Sequence, residues 1–224
     1  MSGKLYAGVA GFSYASWRGS FYPASAKPAD FLRLYAARLP SVELAGVFYQ
    51  VPPRKTFARW ASETPDCFRF GVKMNRRIAL FGNLALVPDF VESVSALGEK
   101  LGPVRAQLTR ARDDAILERL LDAFGSPIRL ALDLAHESWT SPQVDALLDS
   151  AGAARVNALE GAASFRYLRL REPPYDETAL VNLAASLQPV LAAGLDVYCY
   201  FKHEQEPRGA GYAERLLELL PEYG

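Results

Sequence analysis

Seven apolar stretches of the chain carry a polar residue at or just after their ends. Side chains of an extended strand alternate between two faces, and each of these polar residues is out of phase with the large apolar ones. The seven comprise two acids, two amides and three bases: Glu43, Asp133, Gln107, Asn157, Lys73, Arg169 and Lys202. Such groups serve in acid–base catalysis and in the binding of small anions. The set predicts a polar ligand site, or a polar plug whose members only satisfy one another.

Glu43, Asp133 and Lys73 are the candidates for chemistry within this set. Two carboxyl groups whose surroundings hold their pKa values apart can act as acid and base. Lys73 has two interpretations. It forms an ion pair with Glu43 or Asp133, or it is desolvated and acts as a Schiff-base nucleophile.

Histidines follow two of the stretches. His136 comes just after the stretch that holds Asp133 and suits acid–base work near neutral pH, or it bonds to the backbone of its own loop. His203 and Glu204 come directly after Lys202, where barrel folds often bind phosphate, or they contact the start of the next helix. We take His136 as a candidate catalytic residue and the other pair as candidate ligand-binding residues.

An aromatic and basic loop follows the first stretch and includes Tyr14, Trp17 and Arg18. Aromatic rings and guanidinium planes stack on bases and sugar rings, so these three are candidate ligand contacts. The alternative is that the rings simply close the top of the fold.

Eight apolar stretches alternate with helical patterns, which is typical of parallel strands joined by crossover helices. The predicted strands are 5–10, 41–45, 68–73, 103–108, 128–134, 154–158, 165–170 and 196–201. The predicted helices lie within 28–39, 88–97, 113–124, 141–148, 177–193 and 207–220. Eight units predict a single domain over residues 1–224, a closed (β/α)8 barrel of the TIM type that is irregular after strand six, since 159–164 is too short for a helix. An open doubly wound sheet is the alternative, although Gly8-x-x-Gly11 is not its phosphate-binding pattern.

In such a barrel the mixed polar face of each strand points inward, and the site lies at the carboxyl ends of the strands. That end is where the seven polar residues are expected. Four arginines lie lower on the same faces and are interpreted as the barrel floor: Arg69, Arg105, Arg129 and Arg155.

The chain has 224 residues with 25 basic and 25 acidic side chains, which excludes attachment to nucleic acid or membrane by bulk charge. The charges are uneven, because residues 1–112 contain 16 Lys or Arg and 7 Asp or Glu, whereas residues 113–224 contain 9 and 18. A nucleic acid is therefore kept as a weakly supported partner, beside solvated helix faces as the ordinary explanation. Two isolated cysteines and the absence of a long apolar segment predict a cytoplasmic protein that does not bind membranes. With two histidines, we expect no metal and no other cofactor.

Motifs along nearly the whole chain resemble one family. They include Gly11-Phe-Ser-Tyr14-x-x-Trp17-Arg-Gly19, Phe68-Arg-Phe-Gly-Val-Lys73, His136-Glu-Ser-Trp139 and Tyr200-Phe-Lys-His-Glu204. Together they resemble the YecE-like family, which is a domain of unknown function, number 72. The resemblance implies a TIM barrel with a site at the carboxyl ends of the strands, and it implies no established reaction.

The chain departs from the pattern of that family at four positions. Ala45 stands where the family commonly has Asn, Leu80 where it has His, Arg171 where it has His, and Asp133 where it has Glu. The seven polar residues at the strand ends, which the chain retains, favour an enzyme acting on an anionic or phosphorylated small molecule. The lost residues favour a non-catalytic module that binds a metabolite or nucleic acid.

Overall fold

The computed structural model describes residues 2–125, 128–202 and 206–224. Eight parallel strands form one sheet in the order β6-β5-β4-β3-β2-β1-β8-β7. The strands are β1 Leu5–Ala10, β2 Ser41–Leu44, β3 Arg69–Lys73, β4 Leu101–Leu108, β5 Leu130–Leu134, β6 Ala154–Arg155, β7 Phe165–Leu170 and β8 Asp196–Phe201. They alternate with helices in a (β/α)8 barrel of the TIM type, as the sequence predicts.

The helices begin where their sequence signals place them. The side chains of Asp113, Ser141 and Asp176 accept a backbone N–H of the first turn of their helices. The α-helices are α1 Phe31–Ala36, α2 Arg54–Ser62, α3 Arg76–Ala79, α4 Val87–Val94, α5 Asp114–Phe124, α6 Pro142–Ser150, α7 Glu177–Ala192 and α8 Arg208–Leu219. Neither α2 nor α3 was predicted.

Two separate apolar layers lie on the two faces of the sheet. The larger one fills the space between strands and helices. The smaller one lines the barrel interior and includes Tyr6, Phe165, Tyr167 and Tyr198. Gly71 leaves room inside, because a Cβ there would lie 2.7 Å from the hydroxyl of Tyr200.

The arginines expected at the barrel floor divide into three groups. The guanidinium of Arg69 lies over the ring of Tyr6, and that of Arg129 over Tyr198, so these two belong to the floor. Arg155 instead donates to Asp145 of α6 at 2.8 Å, and its place on the inner face was wrongly predicted. Ala154 takes the inner position of β6. Arg105 reaches the candidate site.

The sheet has no ladder between β6 and β7, and Asn157 joins them instead. Its N–H donates to the carbonyl of Tyr167 at 2.9 Å, and its Oδ1 accepts the N–H of Arg169 at 2.7 Å. Asn157 has a φ of 66°, which an extended strand does not allow, so β6 ends earlier than predicted. This confirms the irregularity expected after strand six.

Candidate functional site

Glu43 is the centre of a buried polar network at the carboxyl ends of the strands. Its Oε1 accepts Arg105 Nε and the Tyr167 hydroxyl, each at 2.6 Å. Its Oε2 accepts Arg169 Nε at 3.0 Å and a second, longer contact from Arg105 at 3.4 Å. Glu43 has no exposed surface, so its two oxygens are filled by three side chains from β4 and β7.

Asp133 of β5 extends the network toward solvent. Its Oδ2 accepts Arg105 at 2.7 Å and also binds the guanidinium of Arg171, the residue that follows β7. The side chain of Asp133 is 8% exposed and that of Arg171 is 37% exposed. Arg171 therefore occupies the mouth of the barrel, while Glu43 lies beneath it.

The network keeps Glu43 and Arg105 charged. Burial alone would raise the pKa of Glu43, but the charges and hydrogen bonds of Arg105 and Arg169, helped by Tyr167, hold it well below its ordinary 4.5. Burial also disfavours the charge of Arg105, yet Glu43 raises the pKa of that guanidinium above its ordinary value. Glu43 is therefore a fully ionised acceptor, which makes it a poor general base near neutral pH.

Lys73 ends β3 beside this network but is not bound to either carboxylate. Its Nζ lies 3.7 Å from the centre of the Phe48 ring, and no described carboxylate forms an ion pair with it. Burial lowers the pKa of Lys73, and Arg105 and Arg169 lower it further, while Glu43 and Asp133 oppose the shift. Of the two interpretations of Lys73, the ion pair with Glu43 or Asp133 does not form, because arginines bind both carboxylates.

Positive charge exceeds negative charge among the described residues of this site. Two carboxylates, Glu43 and Asp133, face the cations Lys73, Arg105, Arg169 and Arg171. The two arginines bound to Glu43 are nearly buried, whereas Lys73 and Arg171 are partly exposed. A small anion would find these two cations first.

A cavity of about 520 Å³ lies over the ends of β1 and β2. Gly11, Tyr14, Ala45, Pro52 and Trp60 are among its lining residues. Tyr14 also lies within electrostatic reach of the network: burial raises its pKa to about 12, Arg169 opposes this and Glu43 adds to it. Tyr14 is thus the candidate ligand contact that adjoins both the cavity and the network.

The rest of the aromatic and basic loop is structural. Trp17 is fully buried among Tyr14, Phe21 and Tyr22, so its ring has no face for a ligand. Arg18 is exposed, but its Nε donates to the carbonyl of Ala26 at 2.8 Å. The ordinary explanation, rings that pack together, fits Trp17.

No described hydrogen bond or ion pair joins the other predicted site residues to Glu43 or Asp133. Exposed His136 caps its own 3-10 turn, where its Nδ1 is 2.9 Å from the Ser138 hydroxyl, and no described contact joins it to Glu43 or Asp133. Gln107 is the register partner of Asp133, and Lys202 is exposed just after β8. Asn157 closes the sheet through the backbone of Arg169. His203 and Glu204 lie outside the described residues.

Three members of the network were missing from our predicted site. Strand alternation placed Arg105 on the inner face, but we assigned it to the floor because it comes two residues before Gln107 on the same face of its strand. Tyr167 lies two residues before Arg169 and shares its face of the strand, so strand alternation also predicts that it points into the barrel. Arg171 was noticed as a departure from the family pattern and not as a partner of Asp133.

The described residues also bear on metal and membrane binding. Residues 2–125, 128–202 and 206–224 contain no group of three or more His, Cys, Asp or Glu side chains placed to hold a metal ion. In the same residues, no helix combines the length and apolar character that crossing a membrane requires. Arg76 and Arg77 are exposed on α3, and a nucleic-acid partner stays a prediction.

Comparisons with known proteins agree on one relationship. A family model described as a protein of unknown function, DUF72, matches residues 6–224. The curated UPF0759 protein YunF of Bacillus subtilis is 33% identical over 69 residues, so the match spans 31% of this chain and 23% of that protein.

Solved structures show the same fold. A DUF72 family protein from Thermotoga maritima is 22% identical, with a TM-score of 0.84 over 97% of this chain and 99% of that one. A second, from Enterococcus faecalis, is 18% identical, with a TM-score of 0.83 over 97% of this chain and 95% of that one.

Proposed function

This chain belongs to the DUF72 family, whose function is unknown, and we propose that its barrel mouth binds a small anion through Lys73 and Arg171. The observation that carries the proposal is the excess of cations over carboxylates at the carboxyl ends of the strands. A phosphate or carboxylate group would offset this excess and accept charge-assisted hydrogen bonds from both side chains.

Arg171 supplies the directional part of the proposed site. One guanidinium nitrogen binds Asp133, and the partly exposed remainder of the group has further N–H donors to offer. A planar guanidinium matches two oxygens of a carboxylate or phosphate, which favours anions of that shape.

Lys73 supplies a second positive charge. Its ammonium is free of a described carboxylate, so an incoming anion does not have to break an ion pair. Within this proposal the cavity over β1 and β2, which Tyr14 lines, would take the rest of the ligand.

Within this proposal Glu43 is a positioning residue. Both of its oxygens already accept hydrogen bonds, from Arg105, Arg169 and Tyr167, so it is not placed to accept a proton from a substrate. If the protein is an enzyme acting on its anion, Lys73 is the better candidate for the chemical step, because its amine faces no described acceptor. A non-catalytic binding module stays the alternative.

Thermal unfolding in the presence of small anions tests the proposal. Phosphate, pyruvate and lactate are compared with chloride at equal ionic strength. We expect one of the three to raise the melting temperature of the wild type, since a ligand at 100 times its Kd stabilises by about 2.7 kcal/mol.

Matched variants separate the site from general salt effects. The shift should be lost in Lys73→Met and reduced in Arg171→Gln, and it should persist in Arg59→Gln, which removes an exposed guanidinium from the surface of α2. An equal shift with chloride, or one that survives in Lys73→Met and Arg171→Gln alike, would contradict the proposal.

A further inference from the structure

We propose that Lys73 forms a Schiff base with the carbonyl carbon of an aldehyde or ketone that also carries an anionic group. This inference rests on the proposed function, because Arg171 would hold the anionic group while the amine attacks. The carbonyl-bearing anions in question include 2-oxo acids and phosphorylated sugars, which share the reactive group.

The first argument is the placement of Lys73. It is the last residue of β3, at the end of the barrel where this fold carries its chemistry. Its Cα is the register partner of Arg105, so the amine stands next to the positive side of the network. Lys73 is half-buried, and therefore partly screened from bulk water while still reachable.

The second argument is what occupies the nearby carboxylates. A lysine paired with a carboxylate keeps its proton and cannot attack a carbonyl. Here Arg105 and Arg169 bind the carboxylate of Glu43, and Arg105 and Arg171 bind that of Asp133. Both carboxylates of the network are therefore bound by arginines, and neither forms an ion pair with the Lys73 ammonium.

The third argument concerns the groups that face the amine from each neighbouring element. Arg105 of β4 and Arg169 of β7 favour its neutral form, while Glu43 of β2 and Asp133 of β5 favour its charged form. The centre of the ring of Phe48, which follows β2, lies 3.7 Å from the amine, and its cation–π attraction also favours the charged form. Burial and a neighbouring cation are the two means by which proteins make a lysine nucleophilic.

The step balances without a further reactant. The lone pair of the neutral amine adds to the carbonyl carbon, and the carbonyl π electrons move to oxygen. One amine proton moves to that oxygen and gives a carbinolamine. Its hydroxyl group then leaves together with the remaining amine hydrogen as water, which gives the C=N bond. The imine nitrogen then takes a proton from solvent and becomes an iminium ion.

Reductive trapping on the full chain tests the inference. The protein is incubated with pyruvate and sodium cyanoborohydride near pH 7, and each modified lysine is located by peptide mass spectrometry. The exposed Lys27 and Lys55 are internal controls. We expect Lys73 to be modified at least tenfold faster than either, and equal or slower modification would overturn the inference.

Two comparisons separate this inference from the proposed anion site. Lactate has the carboxylate of pyruvate without the ketone, so stabilisation by lactate with no trapping at Lys73 would overturn the Schiff base and leave the anion site standing. If Arg171→Gln traps as much pyruvate at Lys73 as the wild type does, the Schiff base is supported and the anion site is contradicted.

Lys73→Arg gives the final check, because it keeps the charge and cannot form an imine. It should lose the trapped adduct and keep the anion-dependent rise in melting temperature. If the total adduct per chain in Lys73→Arg equals that of the wild type, the trapping takes place at other residues and is not specific. That result would overturn the inference.

Discussion

Arg105 binds Glu43 across the barrel interior at 2.6 Å, and both side chains are almost wholly buried. The pair joins β4 to β2 and also holds the rest of the network. Arg169 and Tyr167 bind Glu43, and Asp133 binds Arg105. A buried ion pair is weak evidence for net stability, but removing one partner leaves the other charge without compensation.

Glu43→Gln should therefore destabilise the protein by about 3–5 kcal/mol, since Arg105 and Arg169 would lose their shared carboxylate. Urea unfolding at pH 7 measures this change. The control is Glu63→Gln, because Glu63 and Arg59 form an exposed pair at 3.7 Å, and it should cost below about 1 kcal/mol. Similar losses in the two variants would contradict the central role of Glu43.

The stabilisation contributed by Glu43 should disappear in acid. The pKa of Glu43 in the folded protein lies below the 4.5 of the unfolded chain. Below pH 4.5 the unfolded state therefore binds more protons, and the free energy of unfolding decreases as the pH is lowered. The difference in unfolding free energy between wild type and Glu43→Gln should be full above about pH 5 and should shrink as pH is lowered from 4.5 to 3. A difference that does not change over this range would contradict the assignment.

Lys73→Met should keep at least the melting temperature of the wild type, since the ammonium has no described carboxylate partner and its burial disfavours the charge. Lys100→Met is the matched control. The ammonium of Lys100 donates to the carbonyls of Ala61 and Thr64 at 2.7 and 2.6 Å, and leaving these unpaired should cost about 1–3 kcal/mol. A large loss in Lys73→Met would favour a polar plug over a ligand site.

Asn157→Ala should cost about 2 kcal/mol, because it removes the acceptor of the Arg169 N–H and places alanine at a φ of 66°. Asn157→Gly should cost less, since glycine tolerates that φ, and Asn157→Asp should keep the accepting oxygen. Amide hydrogen exchange reports the local effect: the Arg169 N–H should exchange faster in the Ala and Gly variants and near the wild-type rate in Asp. Unchanged exchange in all three would contradict the closing role of Asn157.

Strand alternation predicted much of the fold and part of the site. It placed Glu43, Asp133 and Arg169 on the inner face correctly, because the period of two depends only on the local backbone. It misjudged Arg105, because alternation gives the face of a residue and not how far a long side chain reaches along the barrel axis.

The partners within the site depend on packing that the sequence does not display. Glu43 could have been paired with Lys73 on the adjacent strand, and the choice of Arg105 and Arg169 follows from their reach and planar shape. Asn157 was misread for a different reason. A strand pattern does not reveal that Asn157 leaves the extended region, so that β6 ends before it. Arg155 faces outward because its neighbour Ala154 takes the inner face.

The link through Asn157 also bears on how copies of this chain behave toward one another. A fully paired barrel has no edge strands, whereas β6 and β7 lack a ladder and would otherwise present unpaired backbone groups. The side chain of Asn157 binds the N–H of Arg169 and, at 3.4 Å, its carbonyl. These are the groups on which the edge of another sheet could add. Asn157 thus occupies the donor and the acceptor that an added strand would use, and Asn157→Ala would leave both groups without this partner.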